Sequence, residues 1–223
     1  MGKARRFALV AWVLGCLGLV LVIASLGWLR AGYLRATVPS DSMSPTYAVG
    51  DGIVAERVGG DEVRRGDVVL YSAPERYRFA ESVMQRVVGV GGDRVVCCAS
   101  AGSTRERITV NGKPLHEPYV KDGIADGLHR PYDVTVPEGR LFLLGDHRLN
   151  SMDSRFFADD RGGTVPVGAV EGRVTDDYAV PVLLAAGALL GSVLALAGVV
   201  FGIAARTVRR RAATQSSLWP EPL

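Results

Sequence analysis

Two long apolar runs without a charged residue frame this 223-residue sequence, at residues 7–29 and 178–205. A helix needs about 20 apolar residues to cross the hydrocarbon core of a bilayer. We therefore predict a transmembrane helix in each run. The first run is longer than the apolar core of a secretory signal peptide, and no convincing cleavage site follows it, which favours an uncleaved anchor.

Between these runs, short apolar segments alternate with turn-forming residues, and no long amphipathic helical period occurs. This pattern is typical of short strands joined by tight turns. The dipeptide Asn111-Gly112 is a strong signal for a type I′ hairpin, and we expect loops at residues 122–132 and 159–163. Strands are predicted at residues 67–71, 84–90, 94–97, 107–110, 134–136 and 141–144.

The combined pattern predicts a mostly-β domain, of sandwich or barrel type, flanked by two transmembrane α-helices. Basic residues stay on the cytoplasmic side of a membrane. We therefore predict a multi-pass plasma-membrane protein with cytoplasmic tails at residues 1–6 and 206–223 and an extracytoplasmic domain at residues 30–177. The basic residues of the two tails are Lys3, Arg5, Arg6, Arg206, Arg209, Arg210 and Arg211.

The net charge of +3 comes from these tails. Seven of the 26 Lys and Arg residues lie there, whereas 22 of the 23 acidic residues lie in residues 30–177. The central segment therefore has 19 basic and 22 acidic residues, a net charge of −3. Because this segment offers no basic patch, a nucleic-acid partner is not expected.

The three cysteines add little to this picture. Cys16 lies in the first apolar run, where it can serve as a small apolar residue. Cys97 and Cys98 are adjacent, and three states are open to them: a vicinal disulfide, a link between chains, or free thiols. We expect no metal, because two adjacent cysteines alone lack ligand spacing. We also expect no cofactor, because no phosphate-binding glycine loop is present.

A serine-rich segment follows the first apolar run. Serine flanked by Pro and Asp can be held exposed on an irregular loop, where a nucleophile belongs, although such clusters are usually plain loops. Three further motifs follow it in order and change this assessment. The four blocks are Pro39-Ser40-x-Ser42-Met43-x-Pro45-Thr46, Arg65-Gly-Asp-Val-Val-Leu-Tyr71, Arg86-Val-Val-Gly-Val-Gly-Gly-Asp-Arg-Val95 and Gly145-Asp-His-Arg-Leu-Asn-Ser-Met-Asp-Ser-Arg155.

In this order, the blocks resemble the successive conserved boxes of the type I signal peptidases, a family of membrane-bound serine–lysine endopeptidases. The resemblance covers nearly the whole segment between the apolar runs, and the second run resembles the arrangement in some actinobacterial members. Four ordered blocks are far more specific than one motif. The resemblance implies a signal-peptidase-like β domain that removes N-terminal signal peptides from exported preproteins.

The resemblance also implies roles for individual residues. Ser42 is expected to be the nucleophile, with the Ser42 backbone N–H and the Ser40 hydroxyl as the oxyanion hole. Ser151 matches the serine that orients the family's general base. Asp153 and Arg155 match a pair that shapes the site, in which a bidentate carboxylate–guanidinium bridge would keep the loop rigid.

One position departs from the family's pattern. The family's general base is a lysine immediately before the arginine of the third block, but here that residue is Gln85, followed by Arg86. A buried lysine can lose enough pKa to accept the serine proton near neutral pH. A glutamine amide does not take up a proton in this range, and a guanidinium stays charged.

Three interpretations of this departure are open. In the first, another group is the base. His147 is chemically the best candidate, although histidine there also resembles a variant in members that keep the lysine, and Lys113 and Lys121 are expected to face solvent. In the second, the enzyme is weakened, since serine proteases that lose a triad member keep residual catalysis. In the third, the chain binds signal peptides at the membrane without cleaving them.

The expected partners also follow from the resemblance. They are exported preproteins with small residues at positions −1 and −3 before the cut, because shallow pockets would exclude larger side chains. The lipid bilayer is the second partner. Two spans would hold the domain where an anchored signal peptide emerges, which raises the effective concentration of that substrate.

Overall fold

The chain forms two long helices and, between them in sequence, a domain built of short strands. The computed structural model describes residues 2–77, 82–99, 106–127 and 131–217. The helices are α1 (Gly2–Gly32), the short α2 (Pro74–Tyr77) and α3 (Ala179–Ser217). Tyr33–Asp176 form one compact unit, and the segments that contain α1 and α3 form another.

α1 and α3 are long and apolar enough to cross a membrane, over Ala4–Gly32 and Ala179–Arg211. Only 6% of the apolar window in α1 and 11% of that in α3 are buried within the protein. The core helix of a soluble protein would be mostly buried. Most apolar side chains of these two helices are instead exposed on the protein surface, where they could contact lipid. Both helices are therefore candidate membrane spans.

Small residues line the contact between α1 and α3. A Cβ atom added at Gly18 would lie 2.5 Å from the carbonyl oxygen of Gly191, and one at Gly198 would lie 2.7 Å from the amide nitrogen of Gly15. Such distances are too short for a real Cβ atom, so glycine allows the two backbones to approach closely. The two helices form a close-packed pair.

Eleven strands lie in the described part of Tyr33–Asp176. They are β1 (Tyr33–Thr37), β2 (Gly52–Glu56), β3 (Val68–Tyr71), β4 (Val83–Val90), β5 (Arg94–Ala99), β6 (Arg107–Val110), β7 (Lys113–Pro114), β8 (Tyr132–Thr135), β9 (Arg140–Leu144), β10 (Val165–Pro166) and β11 (Val170–Val174). Short 3₁₀ helices lie in the connections, at Asp41–Met43, Gly60–Glu62, Lys121–Gly123, Arg148–Asn150, Ser154–Phe157, Arg161–Gly163 and Val167–Ala169.

The strands form two sheets in which the paired neighbours run antiparallel. One sheet has the order β1-β2-β11-β3-β4-β9-β10, and the other has the order β7-β6-β5-β8. Strands β4 and β5 follow each other in the chain but belong to different sheets, so the turn between them connects the two sheets. The mostly-β fold predicted from the sequence is confirmed.

The strands in the middle of the larger sheet are buried on both faces. Leu141 and Leu143 of β9 pack into one apolar cluster, and Phe142 and Leu144 pack into another. Successive side chains of a strand point to opposite faces, so a strand covered on both sides needs a continuous apolar run. Gly145 follows this run directly, which places the polar fourth block at the edge of the core.

The predicted hairpin is present in the smaller sheet. Val110 pairs with Lys113 across a two-residue turn, in which Asn111 has φ 54° and Gly112 has φ 75°. Positive φ at both positions is the requirement of a type I′ turn, and Asn and Gly meet it at low cost. Of the predicted loop at 122–132, residues 128–130 lie outside the described residues.

Cys97 and Cys98 form a disulfide on β5, and Cys16 is a free, exposed cysteine on α1. In the described residues, one group of side chains has the spacing of a metal site, namely Cys97, Cys98 and Glu106. Two sulfur atoms that are bonded to each other lack the thiolate charge that binds a metal ion. In this form the group is not a metal site.

Candidate active site

Ser42 lies on the 3₁₀ helix Asp41–Met43, in the connection between β1 and β2. Met43 is fully buried in the core and anchors this turn, whereas Ser40 is exposed and Ser42 is partly exposed. The two serine Oγ atoms are hydrogen-bonded at 3.1 Å. Within the described part of the chain, Ser42 Oγ has no other hydrogen-bond partner. The turn thus presents two adjacent hydroxyl groups at the surface.

Gly145 brings the first and the fourth sequence blocks together. A Cβ atom added there would collide with the side chain of Ser151 and would lie 2.6 Å from the carbonyl oxygen of Ser42. The Gly145 N–H donates to Asp153 Oδ2 at 3.1 Å, and the His147 N–H donates to the Ser42 carbonyl at 3.0 Å. Glycine is therefore needed here because the Ser151 side chain and the Ser42 carbonyl occupy the space that a Cβ atom would take.

A buried ion-pair network holds the loop that carries Ser151. Arg155 donates to both carboxylate oxygens of Asp153 at 2.8 Å, and also to Asp126 Oδ1 at 3.1 Å. The side chains of these three residues are at most 2% exposed. Burial acts to lower the pKa of Arg155, but the two carboxylates outweigh burial and raise it. A bidentate pair with full burial fixes the geometry of the segment.

Gln85 is buried on β4, opposite Val69 of β3, with 1% of its surface exposed. Its Oε1 accepts a hydrogen bond from the Tyr71 hydroxyl at 2.7 Å, and its Nε2 donates to the Met152 carbonyl at 2.8 Å. Met152 lies between Ser151 and Asp153 in sequence, so Gln85 is tied to the same segment. Both ends of the amide are satisfied, and neither end can take up a proton near neutral pH.

Two tyrosines complete the surroundings of Gln85. The hydroxyl groups of Tyr71 and Tyr77 are 2.8 Å apart, and the Tyr77 hydroxyl lies 3.0 Å from the Met152 carbonyl, to which it can donate. Burial raises the pKa of Tyr71 well above its ordinary value, and the neighbouring Tyr77 raises it further. Burial also raises the pKa of Tyr77. Both tyrosines are therefore protonated at neutral pH and do not act as bases.

The hydroxyl of Ser151 is unusual because it is buried and unpaired. Ser151 is 5% exposed, and its Oγ has no hydrogen-bond partner among the described residues. Leaving a buried polar group unsatisfied costs about 1–3 kcal/mol. The predicted role of Ser151 is to orient a lysine, and position 85 holds an amide whose two ends are bound elsewhere. The orphaned hydroxyl fits a site that lacks its base.

His147 and Lys121 both contact the residue before Ser42. His147 Nδ1 lies 2.7 Å from Asp41 Oδ2, and Lys121 Nζ lies 3.3 Å from the same oxygen. Burial acts to raise the pKa of Asp41, but its hydrogen bonds to Lys121 and His147 outweigh burial and lower it. Lys113 is exposed, as predicted. Lys121 is partly exposed, with 32% of its side chain accessible, and its ammonium group is paired with Asp41 beside the serine turn.

Arg86, which follows Gln85, stabilises the serine turn through a shared carboxylate. Arg86 donates to both carboxylate oxygens of Asp146, at 2.8 and 2.6 Å, and Thr46 donates to the same carboxylate. Asp146 is fully buried. The side chains of the first, third and fourth blocks therefore meet at one carboxylate, which fixes the serine turn against the end of β9.

The structure brings the predicted site residues together around the serine turn and the segment 145–155, to which Gln85 is tied through the Met152 carbonyl. Those residues are Ser40, Ser42, Gln85, His147, Ser151, Asp153 and Arg155. Sequence reasoning missed Tyr71 and Lys121. Tyr71 ends the second block, and its position two residues after Val69 places it diagonally across from Gln85, which strand pairing would have indicated. Nothing local marks Lys121, which lies 80 residues from Asp41.

Comparison with known proteins identifies the family of the chain. The profile of the family described as "Signal peptidase, peptidase S26" matches residues 7–178. A signal peptidase I of Mycobacterium tuberculosis is 30% identical, and the match covers 76% of this chain and 70% of the relative. A probable signal peptidase I of Mycobacterium leprae is 31% identical, and the match covers 61% of this chain and 65% of the relative.

The chain spans about two thirds of the length of these two mycobacterial relatives. The crystal structure of a signal peptidase I from Enterococcus faecalis V583 is 26% identical, with a TM-score of 0.39. That similarity covers 51% of this chain and 97% of the crystallised chain.

Proposed function

The chain belongs to the signal peptidase family, peptidase S26, and on that basis we propose that it is a membrane-anchored serine endopeptidase that removes signal peptides from exported preproteins. The observation that supports this proposal most is the convergence of Ser42, Gly145, Ser151 and Asp153 around one turn at the end of β9. A candidate nucleophile, a close backbone approach and a buried carboxylate at one place match the constellation expected of an active site.

In the proposed reaction, Ser42 Oγ attacks the carbonyl carbon of the scissile peptide bond. The Ser42 N–H and the Ser40 hydroxyl, which lies 3.1 Å from Ser42 Oγ, stabilise the negative charge on the carbonyl oxygen. The peptide nitrogen leaves with a proton, and an ester forms between Ser42 and the signal peptide. Water then hydrolyses this ester and frees the enzyme. Asp153 and Arg155 keep the surrounding loop in place.

The proton of Ser42 needs an acceptor other than Gln85. The Asp41–His147 pair supports a substitute, because Nδ1 of His147 can donate to Asp41 at 2.7 Å and leave Nε2 unprotonated. In the described residues, however, the His147 ring makes no hydrogen bond to Ser42 Oγ. We therefore propose slow cleavage, in which solvent water accepts the Ser42 proton and returns a proton to the leaving peptide nitrogen, while the oxyanion hole and substrate binding supply most of the catalysis.

The environment of Gln85 favours a second candidate function. Its amide is bound at both ends inside a buried cluster, so the glutamine is well accommodated in the fold. A chain with this site would bind signal peptides at the membrane without cutting them. This candidate and the peptidase share the same peptide-binding surface and differ only in the fate of the scissile bond.

The proposed substrates carry small residues at positions −1 and −3 before the cut. The candidate membrane spans at Ala4–Gly32 and Ala179–Arg211 support a membrane-bound encounter with preproteins. We further propose that both termini are cytoplasmic and that Tyr33–Asp176 are extracytoplasmic, because the basic residues flank the outer ends of both spans. Protease treatment of intact spheroplasts should therefore spare tags at both termini.

Cleavage of a purified preprotein by the full chain in detergent tests the main proposal. The wild type should release the signal peptide slowly, and Ser42→Ala should release none while still binding the preprotein. Lys113→Ala, at an exposed position of β7, is the matched control and should cleave like the wild type. Equal product from wild type and Ser42→Ala would refute the serine peptidase. Binding without cleavage in both would support the second candidate.

A further inference from the structure

A buried arginine without an acidic partner lies at the start of β9. Arg140 is 9% exposed, and its Nε donates to Thr164 Oγ1 at 2.7 Å. Its Nη2 donates to the carbonyl oxygen of the same threonine. A guanidinium has five N–H donors, and in the described part of the chain no carboxylate accepts from Arg140. A buried cation of this kind is costly unless an anion compensates it.

Arg140 lines a pocket of about 400 Å³ together with two further arginines, Arg76 and Arg161. Arg76 is already paired, since it donates to Asp160 Oδ2 at 2.6 and 3.0 Å. Arg161 is exposed, and its side chain has no hydrogen-bond partner among the described residues. The acidic residues of the pocket are Asp160 and Glu75, so its lining keeps one uncompensated positive charge.

The surroundings of Arg140 also disfavour its positive charge. Burial lowers the pKa of Arg140 below its ordinary value, and the like charges of Arg161 and Arg76 lower it further, while Asp160 opposes them. An anion in the pocket would remove this penalty, because it would accept the free N–H groups of one guanidinium and lie near a second.

We propose that the pocket lined by Arg76, Arg140 and Arg161 binds a phosphate group. A phosphate has several acceptor oxygens for the free N–H groups of Arg140 and Arg161, and its negative charge compensates the one positive charge that the lining keeps. The group can come from free inorganic phosphate or from the headgroup of an anionic phospholipid, since the chain is membrane-anchored. This pocket shares no residue with the candidate active site around Ser42, so the proposal does not depend on the proposed function.

Thermal unfolding of the full chain in a neutral maltoside detergent tests the proposal, with and without inorganic phosphate. A ligand that binds only the folded state raises the melting temperature with its concentration. Phosphate should stabilise the wild type, and Arg140→Gln should weaken phosphate binding by about tenfold or more. The glutamine amide can still donate to Thr164, and the substitution removes a buried charge, so this variant should fold.

A second variant and a control make the result specific. Arg161→Asn should also weaken phosphate binding, and it suits the backbone because residue 161 has φ 51°, which asparagine tolerates. Arg94→Gln removes an exposed arginine that is paired with Asp133, and it should keep the wild-type response to phosphate. Native mass spectrometry would count phosphatidylglycerol bound to the same variants, with phosphatidylcholine as the uncharged comparison.

The unfolding experiment with inorganic phosphate and the mass spectrometry with phosphatidylglycerol together identify the source of the phosphate group. Stabilisation by inorganic phosphate that both arginine variants lose supports a site for the free ion. Retention of phosphatidylglycerol that both variants lose, without a response to inorganic phosphate, supports a lipid headgroup. The proposal is overturned if the wild type responds to neither ligand, or if Arg140→Gln responds as strongly as the wild type.

Discussion

At the scale of single residues, the site combines a satisfied amide with an unsatisfied hydroxyl. Gln85 uses both ends of its side chain, on Tyr71 and on the Met152 carbonyl, whereas Ser151 Oγ has no partner among the described residues. Alanine would fit the same space without this cost, so packing alone does not explain the hydroxyl. We propose that it belongs to the catalytic arrangement around Ser42.

This contrast predicts that the effect of Ser151→Ala depends on the residue at position 85. In the wild type, the substitution removes a hydroxyl without a partner, so the melting temperature should stay the same or rise. In a Gln85→Lys background, the same substitution should reduce cleavage about tenfold or more, because the lysine loses the group that orients it. Melting curves and cleavage rates of the four variants measure both effects.

The serines were predictable from the sequence, but their surroundings were not. Ser40, Ser42 and Ser151 lie in blocks whose order and spacing are specific, so the resemblance was enough to select them. The contact of Lys121 with Asp41 depends on how a distant loop folds back, and no local pattern encodes it. The sequence also did not show that both ends of the Gln85 amide are hydrogen-bonded, because its partners lie on other segments of the fold.

At the scale of elements, the six strands with a local apolar or alternating pattern were predictable, namely β3, β4, β5, β6, β8 and β9, and the others were not. β3, β4 and β9 lie in the middle of a sheet, and their composition reflects burial. β1 lies at an edge of the sheet, and β11 (Val-Glu-Gly-Arg-Val) is only partly buried. Their strand structure depends on partners far away in sequence, and local propensity is weak for such segments.

The turn between β4 and β5 should make stability depend on pH. Asp93 accepts hydrogen bonds from Arg65 at 2.7 Å, from Asn111 at 2.8 Å and from the Val90 N–H at 2.9 Å. Burial acts to raise the pKa of Asp93, but these donors outweigh burial and lower it below its ordinary value of 3.8. Ionised Asp93 therefore stabilises the fold above that value, and the contribution is lost as pH falls through the lowered pKa.

Asp93→Asn should accordingly lower the free energy of unfolding by about 1–2 kcal/mol at pH 7. The difference from the wild type should begin to shrink as pH falls below 3.8, where the unfolded state takes up a proton first, and it should vanish as pH falls through the lowered pKa of the folded state. Unfolding curves recorded in detergent from pH 7 to pH 3 measure this difference. Asp133→Asn, at an exposed ion pair, is the control and should show a smaller effect. A difference that stays constant with pH would contradict this account.

At the scale of the whole molecule, the chain consists of two units that are each packed internally. The β domain has its own apolar clusters, and the helix pair relies on close backbone contact at glycine residues. Helices in lipid gain little from burying large apolar side chains, because the lipid is equally apolar. The glycines of the helix pair therefore take the role that valine and leucine have in the β domain.

Gly18→Ala should weaken the helix pair, because the new Cβ atom would lie 2.5 Å from Ala195 N and from the Gly191 carbonyl oxygen. We expect a loss of about 1–3 kcal/mol, as for overpacking in other close-packed sites. Gly27→Ala is the matched control, since no atom lies within 4 Å of a Cβ atom there. Titration of both variants with a denaturing detergent, followed by circular dichroism, compares them. Equal stability of the two variants would refute this packing.

The most direct test of the central claim, a signal peptidase site that is complete except for its base, is the cleavage rate of Gln85→Lys. Restoring a base should raise the rate by about 10²–10⁴-fold over the wild type, since general base catalysis typically contributes this much. Gln85→Met fills the same space without a base and should give no gain. The gain should vanish in Gln85→Lys combined with Ser42→Ala. A Gln85→Lys variant that folds and binds preprotein but cleaves no faster than the wild type would contradict the account.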